Sequence, residues 1–208
     1  MTSFILRAFL TLFVVLDPIG LVPIFITLAG GYPAKVQKRI IRQAILVAGG
    51  ILFVFAVFGN QVLRYLGISV EAFQVAAGIL LLKIAVDMVF AQQQRETKAE
   101  ESEAQTRADI SVFPLGTPLM AGPGALASIL VLQQEAAIYS FGTAIVLAVI
   151  LFVLSLLYAS LSIAQPLTRW LGRTGINVIS RVLGILLAAL AVEYVIDGIL
   201  ALIKKTLL

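Results

Sequence analysis

The sequence predicts an all-α membrane protein, with six transmembrane helices arranged as two inverted three-helix repeats and helices 1 and 4 broken near the midplane. Three observations carry that expectation. Hydrophobic residues make up 61% of the 208 residues and charged residues 12%, with a mean hydropathy of +1.06. Soluble domains carry about a quarter charged residues. Six apolar stretches are each long enough for a bilayer core, which takes about 20 residues of helix. Nearly the same twelve residues also occur twice, GILLLKIAVDMV from Gly78 to Val89 and GILLAALAVEYV from Gly184 to Val195, 106 residues apart. Pro18 in LDPIG and Pro123 in AGPGA echo that separation at 105 residues. A duplicated unit with an odd number of spans re-enters the membrane from the opposite side, so the second copy is inverted.

The spans are expected at residues 4–28, 40–66, 72–90, 112–132, 139–163 and 176–203. Together they form one transmembrane domain over 1–208: repeat one over 1–91, a charged cytoplasmic linker over 92–110, and repeat two over 111–208.

The first span has only Arg7 near its start, runs beyond the length of a signal-peptide apolar region, and shows no A-x-A pattern before Asp17-Pro18. It is expected to be retained. Asp17-Pro18-Ile19-Gly20 and then Pro23 interrupt it. Proline removes an amide hydrogen and clashes with the preceding turn, and glycine lets the chain leave helical dihedrals, so a kink or break is expected here. The third span carries Lys83 and Asp87, four residues apart on one helix face and able to pair. Charged groups within spans tend to face the bundle interior; a structural ion pair, or a lysine reaching to the interface with its long stem, is a slightly better account of these two than a transport role.

Between the repeats, the stretch from Gln92 to Asp109 is mixed in charge and poor in apolar residues, as in a solvated linker. The fourth span repeats the interruption of the first, with Pro114, Gly116, Thr117 and Pro118 followed by Ala121-Gly122-Pro123-Gly124. Broken segments in matching positions of two repeats point to a binding site, because a restarting helix presents unpaired amide hydrogens with partial positive charge. In hydrocarbon these need an acceptor such as a carboxylate or ordered water. Asp17 can cap the restart or hold a coupling cation or proton. After the fifth span, the PLTRWLGRTG stretch from Pro166 reads as a connection, with Trp170 at headgroup level. The sixth span carries Arg181, Glu193 and Asp197; Glu193, the repeat mate of Asp87, is expected to be buried and Asp197 interfacial. Gln74, Asn60 and Ser128 read as interhelical hydrogen-bonding residues.

Nine Lys and Arg lie in the connections after spans one, three and five, against three on the opposite face. The positive-inside bias therefore predicts both termini outside the cytoplasm, periplasmic if the membrane is a bacterial inner membrane. With no Cys and no His, thiol nucleophiles, imidazole bases and the usual zinc sites are excluded. No metal or cofactor is expected, and no nucleic-acid partner, since the basic residues sit at helix ends without stacking aromatics. A G-x-S-x-G elbow is absent as well, which argues against an intramembrane enzyme.

LDPIGLVPIF from Leu16, GILLLKIAVDMV from Gly78, FPLGTPLMAGPGA from Phe113 and EYVIDGI from Glu193 together resemble the MarC family of bacterial inner-membrane proteins, over essentially the whole chain. That family is similar to the LysE group of amino-acid exporters, and some members are transporters of small neutral amino acids such as glycine and alanine. The resemblance implies a substrate site at Asp17, Pro18 and Gly20 in the first half and Thr117, Gly122, Pro123 and Gly124 in the second. Asp17, Lys83, Asp87 and Glu193 are the candidates for coupling or ion pairing. Ser180-Arg181 and Glu193 depart from the family pattern, which often carries Glu-Arg and later Gln. The leading expectation is a secondary transporter of small neutral amino acids by alternating access, with coupling to a proton or sodium ion left open. An exporter of other small metabolites or ions, and a non-transporting membrane scaffold, are the alternatives.

Overall fold

The computed structural model describes residues 1–90 and 110–207, and it is helical throughout with short connections. Its elements are α1 (Thr2–Leu16), α2 (Leu21–Ala29), α3 (Ala34–Tyr65), α4 (Val70–Val89), α5 (Ser111–Met120), α6 (Pro123–Ala136), α7 (Gly142–Ser162) and α8 (Ala164–Leu207). Among the described residues, five segments are long and apolar enough to cross a membrane, α1 and α2 together forming the first. The pair α5 and α6, bent by 50° at their junction, makes a sixth when taken as one span. The expected linker over 92–110 lies outside the described residues except for Ile110, which is buried.

Local chemistry sets the ends of these elements. Ser69 caps α4 by accepting a 3.2 Å hydrogen bond from the Ala72 amide, and Gly67 at φ 69° turns the chain between α3 and α4. In α5, Phe113 and Thr117 are extended, each directly before a proline whose ring disfavours the helical region for its predecessor. These two extended residues interrupt the helix, as the kink or break expected in the fourth span requires, and the Ala121 amide closes a wide turn on the Gly116 carbonyl at 3.0 Å. The stretch from Pro166, expected as a connection, is helical; the break falls at Gly172, φ 67°, and the spanning part is Thr174–Lys205. Trp170 lies on that leading helix and is exposed.

The apolar core divides into two clusters. One joins α1, α2, α3, α5, α6 and α7 through residues such as Leu12, Phe25, Leu52, Met120, Ile129 and Leu157, with Ala164 and Ile176 of α8 reaching into it. The other joins α4 and α8, with Val14 of α1 and Ala127 and Val131 of α6 reaching into it. The molecule is thus a main body flanked by an antiparallel α4/α8 pair. Close approach within that pair depends on glycine. A Cβ on Gly78 would lie 2.7 Å from both the Ala191 carbonyl oxygen and Val195; one on Gly184 would lie 2.9 Å from Met88 and 3.1 Å from the Ala85 carbonyl oxygen and from Val89.

The Arg7–Glu135 ion pair at 3.6 Å, the Lys205–Glu71 pair at 3.3 Å and the Phe4–Tyr139 ring contact tie the start of α1, the end of α6, the start of α4 and the end of α8 together at one face.

Candidate functional site

The first span breaks where it was expected to, between Leu16 and Leu21. Asp17 ends α1 in the left-handed region, φ 40° and ψ 67°, which Asp tolerates better than most residues. Its amide still donates to the Phe13 carbonyl at 3.1 Å, and its own carbonyl accepts from the Leu21 amide at 3.1 Å, so the backbone passes from α1 to α2 with both ends held. The carboxylate is buried, 6% exposed. Oδ1 accepts from the Gly20 amide at 2.9 Å and Oδ2 from the Ser180 hydroxyl at 3.3 Å. Pro18 beside it is buried and brings no amide hydrogen needing a partner.

Among the described residues Asp17 makes no ion pair with Lys or Arg. A carboxylate held in a low-dielectric interior by two hydrogen bonds and no counter-charge is costly, and such groups mark ligand, ion or proton sites. Gly20 has a steric role: a Cβ there would run into the Asp17 carboxylate and sit 2.8 Å from Ser180 Oγ. Only glycine lets the backbone come this near both groups.

In the fourth span Gly122 is extended, φ −87° and ψ 172°, and α6 restarts at Pro123 with no side chain capping its first turn. Gly124 presses against the other elements of the site, since a Cβ would lie 2.5 Å from Ile84 and 3.3 Å from Leu81 of α4, and 3.6 Å from Val15 of α1. The restart of the fourth span therefore abuts α1 two residues before its break at Asp17. Thr117 is half-buried in the extended part of α5. That segment leans on α3, where a Cβ on Gly116 would lie 3.2 Å from Val47 and the Ser111 hydroxyl donates to Gln43 Oε1 at 3.5 Å.

The fold brings Asp17, Pro18 and Gly20 to one point and sets Gly124 beside the helix that carries them, at the seam between the main body and the α4/α8 pair. Lys83, Asp87 and Glu193 lie elsewhere. Lys83 Nζ donates to Asp87 Oδ2 at 3.1 Å, the expected i,i+4 pair, but the Lys83 side chain is 61% exposed and the pair lies toward the outer surface instead of the bundle interior. Ile84, the next residue, is the one that turns into the seam. Glu193, expected to be buried, is exposed, as is Asp197; the residue that α8 buries at this level is Tyr194. Among the described residues, the expected hydrogen bond of Ser128 is not formed: its hydroxyl is buried without a partner, as is Asn60 Oδ1. Ser180, which anchors Asp17 from α8, was visible in the sequence only as a departure from a motif.

A family model described as "MarC family integral membrane protein" matches residues 2–203. The chain is 39% identical over 198 residues to the UPF0056 membrane protein MJ1677 of Methanocaldococcus jannaschii, covering 95% of this chain and 96% of that protein. It is 36% identical to the UPF0056 membrane protein YhcE of Escherichia coli, covering 93% and 90%, and 36% identical to YvbG of Bacillus subtilis, covering 96% and 95%. No solved structure matches.

Proposed function

The chain belongs to the MarC family of integral membrane proteins, and from that premise we propose that it is a secondary transporter of small neutral amino acids, of the glycine and alanine class, working by alternating access. The observation that carries the reading is Asp17: a buried carboxylate at a helix break, bonded to its own span and to α8, beside the restart of a second broken span.

A zwitterion fits this chemistry. Its ammonium meets Asp17 Oδ1 and Oδ2, and its carboxylate meets the uncapped first turn of α6 at Gly124 and Ala125, where amide hydrogens and the helix dipole favour an anion. Close packing of Val15, Leu81 and Ile84 around Gly124 leaves little room for a side chain, which favours glycine and alanine over larger residues. Because the site lies at the seam, sliding the α4/α8 pair against the main body opens it to one side or the other. The Asp17–Ser180 bond spans that seam.

The inverted repeat is part of the proposal, and the α4/α8 contacts support it. Gly78 meets Ala191 and Val195, and Gly184 meets Ala85 and Val89; shifting the numbering by 106 residues turns one set into the other. Reciprocal contacts of that kind are those of two related helices packed about a two-fold axis. The excess of Lys and Arg after spans one, three and five supports an orientation with both termini outside the cytoplasm.

Equilibrium binding of labelled alanine and glycine to the purified protein tests the substrate class. Saturable binding of both, displaced weakly by leucine, is the expected result. No saturable binding of either would leave a scaffold or a carrier of other solutes.

A further inference from the structure

On the terminal side of the Asp17 break, the seam holds three hydroxyls that the proposed substrate site does not use. Thr11 of α1, Ser128 of α6 and Tyr194 of α8 are 2%, 0% and 2% exposed. Gly124 lies against Val15, and Arg7 pairs with Glu135, so α1 and α6 run antiparallel. One helical turn from the Val15–Gly124 contact, that register sets Thr11 level with Ser128. Tyr194 enters from the α4/α8 pair, packed with Val14, Ala127 and Val131, its hydroxyl against Thr11 and near Glu135 and Arg7. The hydroxyls of Ser128 and Tyr194 have no hydrogen-bond partner of standard geometry among the described residues. Buried hydroxyls without partners are uncommon, and here they stand on opposite sides of one seam, at one depth, below the Arg7–Glu135 ion pair.

We infer that Thr11, Ser128 and Tyr194 form an outer polar station, a second binding site for a small zwitterionic solute between the Asp17 break and the face that carries the termini, closed by the Tyr194 ring. A hydroxyl both donates and accepts, so the three together meet an ammonium and a carboxylate without holding either by charge. This suits a point of transit. Arg7 and Glu135 offer the same solute one group of each sign on its way in. The inference rests on the transporter reading, which supplies the path that the station serves.

The chain has no cysteine, so Ser128→Cys introduces a single thiol with little change of shape. In proteoliposomes, a membrane-impermeant cationic thiosulfonate is applied from the side carrying the termini, and the modification rate is compared with that of Leu157→Cys, a 0% exposed position in the main-body core. The Ser128→Cys thiol should react roughly tenfold faster than the core control, and roughly tenfold faster again with Tyr194→Ala, since access governs thiol reactivity here. Alanine should slow the reaction. A rate equal to that of Leu157→Cys in both backgrounds overturns the station, even where alanine transport is intact. Acceleration by Tyr194→Ala without protection by alanine keeps the station as a solute path and rejects the amino-acid substrate. Should Ser128→Cys fail to fold, Thr11→Cys carries the same comparison.

Discussion

Ser180 on α8 donates its hydroxyl to Asp17 Oδ2 at 3.3 Å, a contact between residues 163 apart in sequence that joins the α4/α8 pair to the break of the first span. Hydrogen bonds to charged groups contribute about 1.5–3 kcal/mol net. Part of that is regained when the freed oxygen turns to ligand or water, so Ser180→Ala should weaken alanine binding by roughly tenfold while the protein stays folded. Ser180→Thr keeps the hydroxyl and should stay within about threefold of wild type, well under 1.4 kcal/mol. Unchanged affinity in Ser180→Ala would remove Ser180 from the site.

Gly20→Ala tests the packing at the same point. Its Cβ would collide with the Asp17 carboxylate and crowd Ser180 Oγ at 2.8 Å, so the chain must shift at the break. Overpacking of this kind costs about 1–3 kcal/mol. The expected result is a lower Tm in detergent together with lost alanine binding. A Tm and affinity equal to wild type would mean that the break has more slack than its contacts indicate.

The α4/α8 glycines make a paired prediction. Gly78→Ala and Gly184→Ala both push against carbonyl oxygens of the facing helix and should lower the Tm by similar amounts, because their surroundings are reciprocal. Gly50→Ala in α3 is the control, since a Cβ there meets nothing within 4 Å. Alanine exceeds glycine in helix stability by about 0.5–1 kcal/mol, so this variant should be neutral or slightly stabilised. A large loss in only one of the paired variants would contradict the reciprocal arrangement.

Orientation is checked by reporters. A fusion after residue 208 should read as non-cytoplasmic, following the nine to three distribution of Lys and Arg between the two faces. A cytoplasmic reading there would invert the direction assigned to each repeat.

Much of this architecture was legible in the sequence because its causes are local. Hydropathy alone located the spans, missing the start of the second by six residues, 40 against Ala34, because the polar first turns of α3 are helical as well, and Asp17-Pro18-Ile19-Gly20 marked a break because proline and glycine act on their own turn. The break in the fourth span was legible for the same reason, and the residues that become extended there, Phe113 and Thr117, are the ones directly before its prolines. What stayed hidden was tertiary. Nothing near Ser180 announces that it meets Asp17, and helical periodicity did not decide which of Glu193 and Tyr194 turns inward, since both lie in an apolar helix with lipid on one side. The repeat suggested burial for Glu193 by analogy with Asp87, yet Asp87 itself pairs with Lys83 toward the outside. The position matching Lys83 in the second repeat is Ala189, so the analogy carried no partner with it.

Counterflow of labelled alanine into liposomes preloaded with unlabelled alanine, comparing wild type with Asp17→Asn, reads out whether Asp17 holds a transported amino acid. Asn accepts a hydrogen bond from the Gly20 amide as Asp does, caps about as well, and tolerates the left-handed backbone, so the fold should survive while the charge is lost. Removing a charge-assisted contact of about 1.5–3 kcal/mol lowers affinity by roughly tenfold to a hundredfold. The wild-type protein should accumulate label transiently, and Asp17→Asn should lose that accumulation at equal expression and similar Tm. Accumulation by Asp17→Asn with wild-type affinity, or no accumulation of alanine or glycine by the wild-type protein under any imposed proton or sodium gradient, would contradict transport of an amino acid held at Asp17.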